Sequence, residues 1–241
     1  MNSLYDFLFV VYPYICLAVF FMGSLLRYDR DQYTWKSDSS TLLRKAHMRW
    51  ASNLFHIGIL FLLFGHTVGL LMPHWMYAPF ISAPAKQMFA IVSGGVAGLA
   101  CFIGLSMLLY RRITDPRIRL TSHRTDLAIL IILWLQLGLG LLTLPVSFSH
   151  RQDAGAMLVL ASYLQGIATF HPNAELLSGI AWQFKVHMVL GMTIFLLFPF
   201  SRLVHVWSGL ASVVYLFRPY QLVRSRRLNV PAGHNQPRST R

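Results

Sequence analysis

The chain has 241 residues, of which 55% are hydrophobic, and its mean hydropathy is +0.51. This composition excludes an ordinary soluble domain and indicates an integral membrane protein. The formal net charge of +13 is compatible with a nucleic-acid partner, but the basic residues cluster between apolar stretches, and membrane topology explains that pattern better, so no nucleic acid is expected.

The first predicted span covers residues 4–26 and has no lysine or arginine before it. A cleavable signal peptide would carry positive charge ahead of its apolar run, whereas the first basic residue here, Arg27, follows that run. The positive-inside rule therefore places the N-terminus outside. The next loop, expected to be cytoplasmic, holds six basic residues: Arg27, Arg30, Lys36, Arg44, Lys45 and Arg49.

The second predicted span, residues 49–72, runs outward and ends at an aromatic interfacial stretch, Pro73-His74-Trp75-Met76-Tyr77. Lys86 is the single basic residue of the outer loop that follows. The third span, residues 88–110, is uncharged and rich in glycine, which favours close helix packing. Five arginines after it mark a second cytoplasmic loop: Arg111, Arg112, Arg117, Arg119 and Arg124.

The fourth predicted span, residues 127–146, ends near Pro145, and a long external loop reaches residue 179 with Arg151 as its only lysine or arginine. The fifth span, residues 180–207, returns inward. The prediction is an all-α membrane protein with five transmembrane helices in one domain, residues 1–227, followed by a polar, flexible cytoplasmic tail, residues 228–241. Spans two to five contain no carboxylate, which argues against a proton channel.

Two of the predicted spans each carry a pair of histidines, His56 with His66 and His187 with His205. An unsatisfied polar group in hydrocarbon costs about 1 to 3 kcal/mol, and polar residues in spans usually line functional interiors. Spans two and five run in opposite directions, so His56 can meet His205 near the cytoplasm and His66 can meet His187 nearer the outside. The spacings differ, about 15 Å against about 27 Å along ideal helices, and tilt or a kink at Pro199 must absorb the difference.

These pairs predict two bis-histidine haems between spans two and five. The haems would be of the b type, because no Cys-x-x-Cys-His sequence is present and the two cysteines, Cys16 and Cys101, lie in apolar runs as packing residues. For any single histidine, a hydrogen bond between helices would be the favoured explanation, and it is the occurrence of four in two antiparallel pairs that favours haem. Arg202 either pairs with a haem propionate or extends to the inner interface. Glycines on the histidine-bearing spans either leave room for a macrocycle or reflect the frequency of glycine in membrane helices: Gly58, Gly65, Gly69 and Gly191.

The other six histidines fall in predicted loops or in the tail, where we expect solvated side chains rather than ligands. They are His47, His74, His123, His150, His171 and His234.

Several runs of this sequence match one family over nearly the whole chain. They are Tyr12-Pro13-Tyr14-Ile15, Leu26-Arg27-Tyr28-Asp29, Gln32-Tyr33-Thr34-Trp35, Ser52-Asn53-Leu54-Phe55-His56-Ile57-Gly58-Ile59-Leu60, Pro73-His74-Trp75-Met76-Tyr77, residues 187–207 and Tyr220-Gln221-Leu222-Val223-Arg224. On these residues the chain resembles the gamma subunit, the cytochrome b membrane anchor, of bacterial respiratory nitrate reductase. It departs from the family's pattern around residues 149–174 and from residue 228 onward.

The resemblance implies that His56 and His205 ligate the inner haem and that His66 and His187 ligate the outer one. It also implies quinol oxidation beside the outer haem, at a site involving Gly65, His66 and Lys86. The residues alone leave Lys86 open, as a donor to a quinone oxygen or as an interfacial anchor.

The implied partners are an iron–sulfur beta subunit on the cytoplasmic loops and a molybdenum alpha subunit that reduces nitrate, at the bacterial cytoplasmic (inner) membrane. Two other classes of function stay open. One is the haem b anchor of a formate dehydrogenase, hydrogenase or sulfur-compound reductase, and the other is a haem-free transporter or structural anchor.

Overall fold

The computed structural model describes residues 3–35, 48–152 and 154–209, and in these ranges the chain is helical with no β-strand. The tail predicted at residues 228–241 lies outside them, as do Lys36, Arg44 and Lys45 of the first basic loop. The main helices are α1 (Ser3–Arg30), α2 (Met48–Leu71), α3 (Ala83–Thr114), α4 (Arg124–Ser149), α5 (Gly155–Ala168) and α6 (Trp182–Leu197).

Five of these helices are long and apolar enough to cross a membrane: α1, α2, α3, α4, and α6 together with its following 3₁₀ turn Phe198–Phe200. The predicted fold class is confirmed to this extent. Within α1 the turn Phe7–Val11 is a π-helix that precedes Pro13. Proline has no N–H and its ring crowds the carbonyl four residues earlier, so the backbone widens there.

Helices α2 and α3 pack closely because two glycines let their backbones touch. A Cβ atom on Gly104 would lie 2.5 Å from the backbone nitrogen of Phe55 and 2.8 Å from the carbonyl oxygen of Ala51. A Cβ atom on Gly58 would lie 2.7 Å from the Cβ of Cys101. Gly58 therefore makes room for α3 and not for a macrocycle. Both cysteines are buried and unbridged, as predicted.

The external loop predicted up to residue 179 contains a helix, α5, and a 3₁₀ turn, Ala174–Leu177, so that part of the prediction was wrong. At 14 residues α5 is too short to span a bilayer, so the length of its apolar run does not identify it as a membrane span. Tertiary bonds hold it: the Tyr163 hydroxyl donates to the carbonyl oxygen of Phe9 at 2.7 Å, and the Gln165 amide donates to that of Leu70 at 3.0 Å.

Helix α4 continues through Pro145 to Ser149, whereas the sequence predicted an end near the proline. Gln87 of α3, buried with 3% exposure, donates from Nε2 to the Ser147 carbonyl oxygen at 2.8 Å and thereby satisfies a carbonyl at the end of the helix. Helix α4 also begins before residue 127, at Arg124, so it includes Asp126. The expectation that spans two to five hold no carboxylate therefore fails for this helix.

The fifth predicted span, residues 180–207, is not one continuous helix. Helix α6 ends at Leu197, and the extended residue Ser201 (φ −120°, ψ 175°) separates the turns Phe198–Phe200 and Arg202–Val204; residues 205–209 are helical again. The kink predicted at Pro199 is thus a full break. The spacing of about 27 Å, which assumed an unbroken helix, does not apply.

Helix α1 holds this break in place. Arg27 donates from Nη1 to the carbonyl oxygens of Pro199 at 2.6 Å and Ser201 at 2.9 Å, groups that an unbroken helix would satisfy internally. One turn earlier, a Cβ on Gly23 would lie 2.8 Å from Cγ of Pro199, so only glycine admits the proline ring. Arg27, expected as a marker of topology, also has this structural function.

Candidate functional site

The structure brings the four intramembrane histidines together as two pairs. The ring centroids of His56 and His205 lie 6.4 Å apart, and those of His66 and His187 lie 6.2 Å apart. Two imidazoles on opposite sides of one metal ion, each with a metal–nitrogen bond of about 2.0 to 2.1 Å, have centroids about 6 Å apart. Both spacings therefore fit a metal held between two axial histidines.

The segments that carry the pairs leave space between them. Helix α2 packs against α3 and α5, and α6 packs against α4 and α1, while neither α6 nor the turn Arg202–Val204 before His205 is among the closely packed partners of α2 in the described residues. Helix α2 is also the least buried of the five spanning helices, and both of its histidines are exposed. Imidazoles that face each other across a gap between helices suit a flat cofactor.

Three of the four imidazoles are oriented by a backbone carbonyl of their own chain segment. Nδ1 of His56 lies 2.7 Å from the carbonyl oxygen of Ser52, Nδ1 of His66 lies 2.7 Å from that of Leu62, and Nδ1 of His205 lies 2.6 Å from that of Arg202. A carbonyl oxygen only accepts, so Nδ1 carries the proton in each ring. The lone pair is then on Nε2, as a metal ligand requires.

His187 is held differently, by helix α4. Gln136 donates from Nε2 to the backbone carbonyl oxygen of His187 at 3.0 Å, and the same amide nitrogen lies 3.4 Å from the ring nitrogen Nε2. Gln136 was not predicted from the sequence, although a polar residue inside an apolar span is the same signal that singled out the histidines.

A cavity of about 290 Å³ opens beside the His56–His205 pair. Its walls are apolar apart from the two imidazoles, one hydroxyl and three guanidinium groups, a lining that suits a largely apolar molecule with anionic substituents. These polar lining residues are Ser52, His56, Arg111, Arg112, Arg202 and His205.

Asp126 supplies a negative charge at this cationic cavity. Its Oδ2 atom lies 3.1 Å from Nη1 of Arg112 and 3.8 Å from Nη1 of Arg202, and all three side chains are largely buried. Arg202 therefore lies in a buried charge network and does not simply extend to the interface. Because Asp126 is paired, it functions as a counter-charge and does not suggest a proton path.

The three residues that the family resemblance associates with quinol lie on two helices: Gly65 and His66 on α2, and Lys86 on α3. His66 belongs to the second pair, and a Cβ on the adjacent Gly65 would meet no atom within 4 Å, so the backbone is open there. Lys86 lies in the first turn of α3 and not in a loop as predicted. Its Nζ atom is 3.6 Å from the centroid of the Tyr77 ring, a cation–π contact, and burial raises the pKa of Tyr77 so that its phenol stays neutral.

The remaining histidines do not form further clusters in the described ranges. His74 begins a one-turn helix, His123 and His150 flank α4, and His171 follows α5; His47 and His234 lie outside the described residues. No group of three or more His, Cys, Asp or Glu side chains converges in residues 3–35, 48–152 and 154–209. The candidate metal centres in this part of the chain are therefore histidine pairs.

Comparison with known proteins gives consistent matches over almost the full length. The family model described as nitrate reductase gamma subunit matches residues 5–226. The chain is 53% identical over 222 residues to the respiratory nitrate reductase 2 gamma chain of Escherichia coli (strain K12), covering 92% of this chain and 97% of that relative. It is 50% identical over 227 residues to the respiratory nitrate reductase 1 gamma chain of the same organism, covering 94% and 100%. The nitrate reductase gamma chain of Bacillus subtilis (strain 168) is 38% identical over 222 residues, covering 90% and 96%.

Proposed function

Because the chain belongs to the nitrate reductase gamma subunit family, we propose that it is a dihaem cytochrome b which oxidises membrane quinol and delivers the electrons to the other subunits of a respiratory nitrate reductase. The observation that carries this proposal is the pair of imidazole–imidazole spacings, 6.4 Å from α2 to His205, which follows the break after α6, and 6.2 Å from α2 to His187 of α6. The family membership favours this function over the anchors of other oxidoreductases and over a haem-free transporter.

His56 and His205 would hold one b haem, and His66 and His187 would hold the other. When bound, each haem supplies a one-electron carrier whose potential depends on its ligands and surroundings. The chain supplies the rest: Nδ1–H bonds orient three of the imidazoles, and the guanidinium groups of Arg112 and Arg202 offer charge-assisted bonds to carboxylate substituents at the His56 side.

Charge distribution supports the orientation of the chain in the inner membrane. With the N-terminus outside and the C-terminus cytoplasmic, the arginine-rich segments after the first, third and fifth spans lie inside, the His56–His205 pair lies near the cytoplasm, and the His66–His187 pair lies toward the outside. Moving one electron inward against a 100 mV potential involves about 2.3 kcal/mol, so oxidation outside with reduction inside conserves energy.

The basic cytoplasmic segments are the docking surface for an iron–sulfur beta subunit, which passes electrons to a molybdenum alpha subunit where nitrate is reduced. Nitrate chemistry thus belongs to another chain. On this chain, a quinol bound near the open backbone at Gly65 would be oxidised next to His66, with its protons released outside.

We expect Lys86 to orient quinol through its ammonium group. Lys86→Met keeps the length of the side chain and removes the donor, so it should raise the KM for quinol about tenfold or more while leaving the haem content unchanged. Steady-state oxidation of a quinol analogue by the complete complex in membranes is the measurement, and Lys86→Arg, which retains the positive charge and the donors, should keep most of the affinity. Unchanged kinetics in Lys86→Met would assign the residue to the Tyr77 contact alone.

The test of the proposed function is optical. The purified full-length protein, reduced with dithionite, should show a b-type alpha band with about two haems per chain, because each imidazole pair accounts for one haem. Quinol added to the oxidised complex should reduce the same band, and the co-purified partners should be the alpha and beta subunits. A preparation without any such band would refute the electron-transfer function.

A further inference from the structure

We propose that Gln136 is the positioning residue of His187 and so determines how this imidazole binds opposite His66. The inference rests on the proposed function, in which the His66–His187 pair holds a haem. It adds to that function a residue on a third helix, α4, that controls one of the two centres and not the other.

Two features of one side chain carry the proposal. The Gln136 amide nitrogen donates to the His187 backbone carbonyl oxygen at 3.0 Å, which fixes the main chain of α6 at that residue. It also lies 3.4 Å from Nε2 of the ring, so it limits the rotation of the imidazole. One amide group therefore restrains both the backbone and the ring of the same histidine.

One glycine on α6 and one on α4 make room for the contact between Gln136 and His187. A Cβ on Gly191, one turn after His187 in α6, would lie 3.1 Å from Nε2 of Gln136. A Cβ on Gly140, one turn after Gln136 in α4, would lie 3.0 Å from Cε1 of His187. Each side chain thus packs against the glycine of the opposite helix. Packing against Gln136 explains the glycine at position 191 better than the need to leave room for a macrocycle does.

The other three histidines do not need such an arrangement, since a local carbonyl orients each of them. In His187 the ring nitrogen Nδ1 is buried without a hydrogen-bond partner, and the Gln136 carbonyl oxygen Oε1 is buried and unpaired as well. The His187 ring therefore lacks the carbonyl bond at Nδ1 that the other three rings have, and the polar group beside it is the Gln136 amide nitrogen, 3.4 Å from Nε2. The orientation of His187 thus depends on α4, whereas that of His66 depends on its own helix.

The closing experiment compares Gln136→Met with Gln87→Met in the complete haem-containing protein. Methionine matches glutamine in length and lacks the amide. Gln87 is a fair control because it also donates to a backbone carbonyl of α4, that of Ser147, and its second acceptor is the carbonyl oxygen of His150, which is not one of the four paired histidines. The two low-spin ferric haem signals in electron paramagnetic resonance and the two midpoint potentials are measured, with His66→Ala used to assign the outer centre.

In Gln136→Met we expect the outer haem's resonance and midpoint potential to shift. We also expect the affinity for this haem to fall about 10- to 100-fold, as is typical when a group that orients a metal ligand is removed, so that the haem transfers faster to apo-myoglobin. The inner haem and both haems of Gln87→Met should behave as in the wild type. Gly140→Ala, which crowds the ring without removing the amide, should shift the same outer signal.

Unchanged outer signals in both Gln136→Met and Gly140→Ala would overturn the inference, and equal shifts at both haems would do so as well. The proposed function fails in a different way, when the wild-type protein lacks two low-spin haem signals.

Discussion

Replacing His56 or His205 with alanine is expected to lower the haem content from about two per chain to about one, and to remove the same haem in both variants. The two ring centroids lie 6.4 Å apart, so under the proposed function each residue would supply one ligand of the same haem. His66→Ala and His187→Ala should each remove the other haem, because their rings form the second pair at 6.2 Å.

Haem content per chain and the two electron paramagnetic resonance signals are the readouts, on protein purified in detergent. His171→Ala is the matched control, since this exposed histidine bonds the Thr169 carbonyl oxygen and should leave both haems in place. If His56→Ala and His205→Ala removed different haems, or if every single substitution removed both, the proposed pairing would be wrong.

Gly104→Ala should markedly destabilise the protein, and Gly94→Ala on the same helix should not. Alanine is a better helix former than glycine by about 1 kcal/mol, so a methyl group in open space is neutral or slightly favourable, and nothing lies within 4 Å of a Cβ on Gly94. At Gly104 the same methyl group would lie 2.5 Å from the backbone nitrogen of Phe55, which cannot rotate away.

Helices α2 and α3 must therefore separate in Gly104→Ala, at a cost of about 3 kcal/mol, near the upper end of overpacking penalties. For a chain of this size that corresponds to a fall in the midpoint of thermal unfolding of about 6 to 12 °C. Circular dichroism of the detergent-solubilised full-length chain measures it, with Gly94→Ala run in parallel. Equal melting temperatures for the two variants would mean that the close α2–α3 contact does not contribute to stability.

The same contact has a functional consequence, because the backbone of Ala51 to Phe55 that Gly104 touches immediately precedes His56. Displacement of this turn moves the carbonyl of Ser52, which orients the His56 ring. On heating, the Gly104 variant should accordingly lose the haem proposed at the His56–His205 pair before the one proposed at the His66–His187 pair. The packing of α2 on α3 therefore also determines the geometry of the His56–His205 pair.

The membrane-spanning segments and the histidines could be predicted from the sequence because both depend on local chemistry. A run of about 20 apolar residues crosses a bilayer whatever it packs against, and an imidazole in such a run requires a partner wherever it lies. The order of the histidines along oppositely directed spans then permits one pairing of the rings, and the structure places those rings at 6.4 Å and 6.2 Å.

Features that depend on contacts between residues far apart in the chain could not be predicted from the sequence. A proline in an apolar run indicates a kink in the helix. Whether the helix breaks there depends on hydrogen-bonding groups of other helices that can satisfy the freed carbonyls. At Pro199 the helix breaks, since Arg27 of α1 binds the released carbonyls, whereas at Pro145 it continues, and Gln87 of α3 supports its end. The sequence around each proline does not contain that information.

By itself, then, the sequence predicted the helical fold of the described residues, their five candidate membrane spans and the two histidine pairs, because the exclusion of polar groups from hydrocarbon acts on each segment separately. The tertiary structure alone decided which glycines bring backbones together, where the fifth predicted span breaks, that a short helix, α5, lies between α4 and α6, and that Gln136 bonds the His187 carbonyl. Those outcomes depend on steric fit and hydrogen-bond partners supplied by other helices, which no single stretch of the chain specifies.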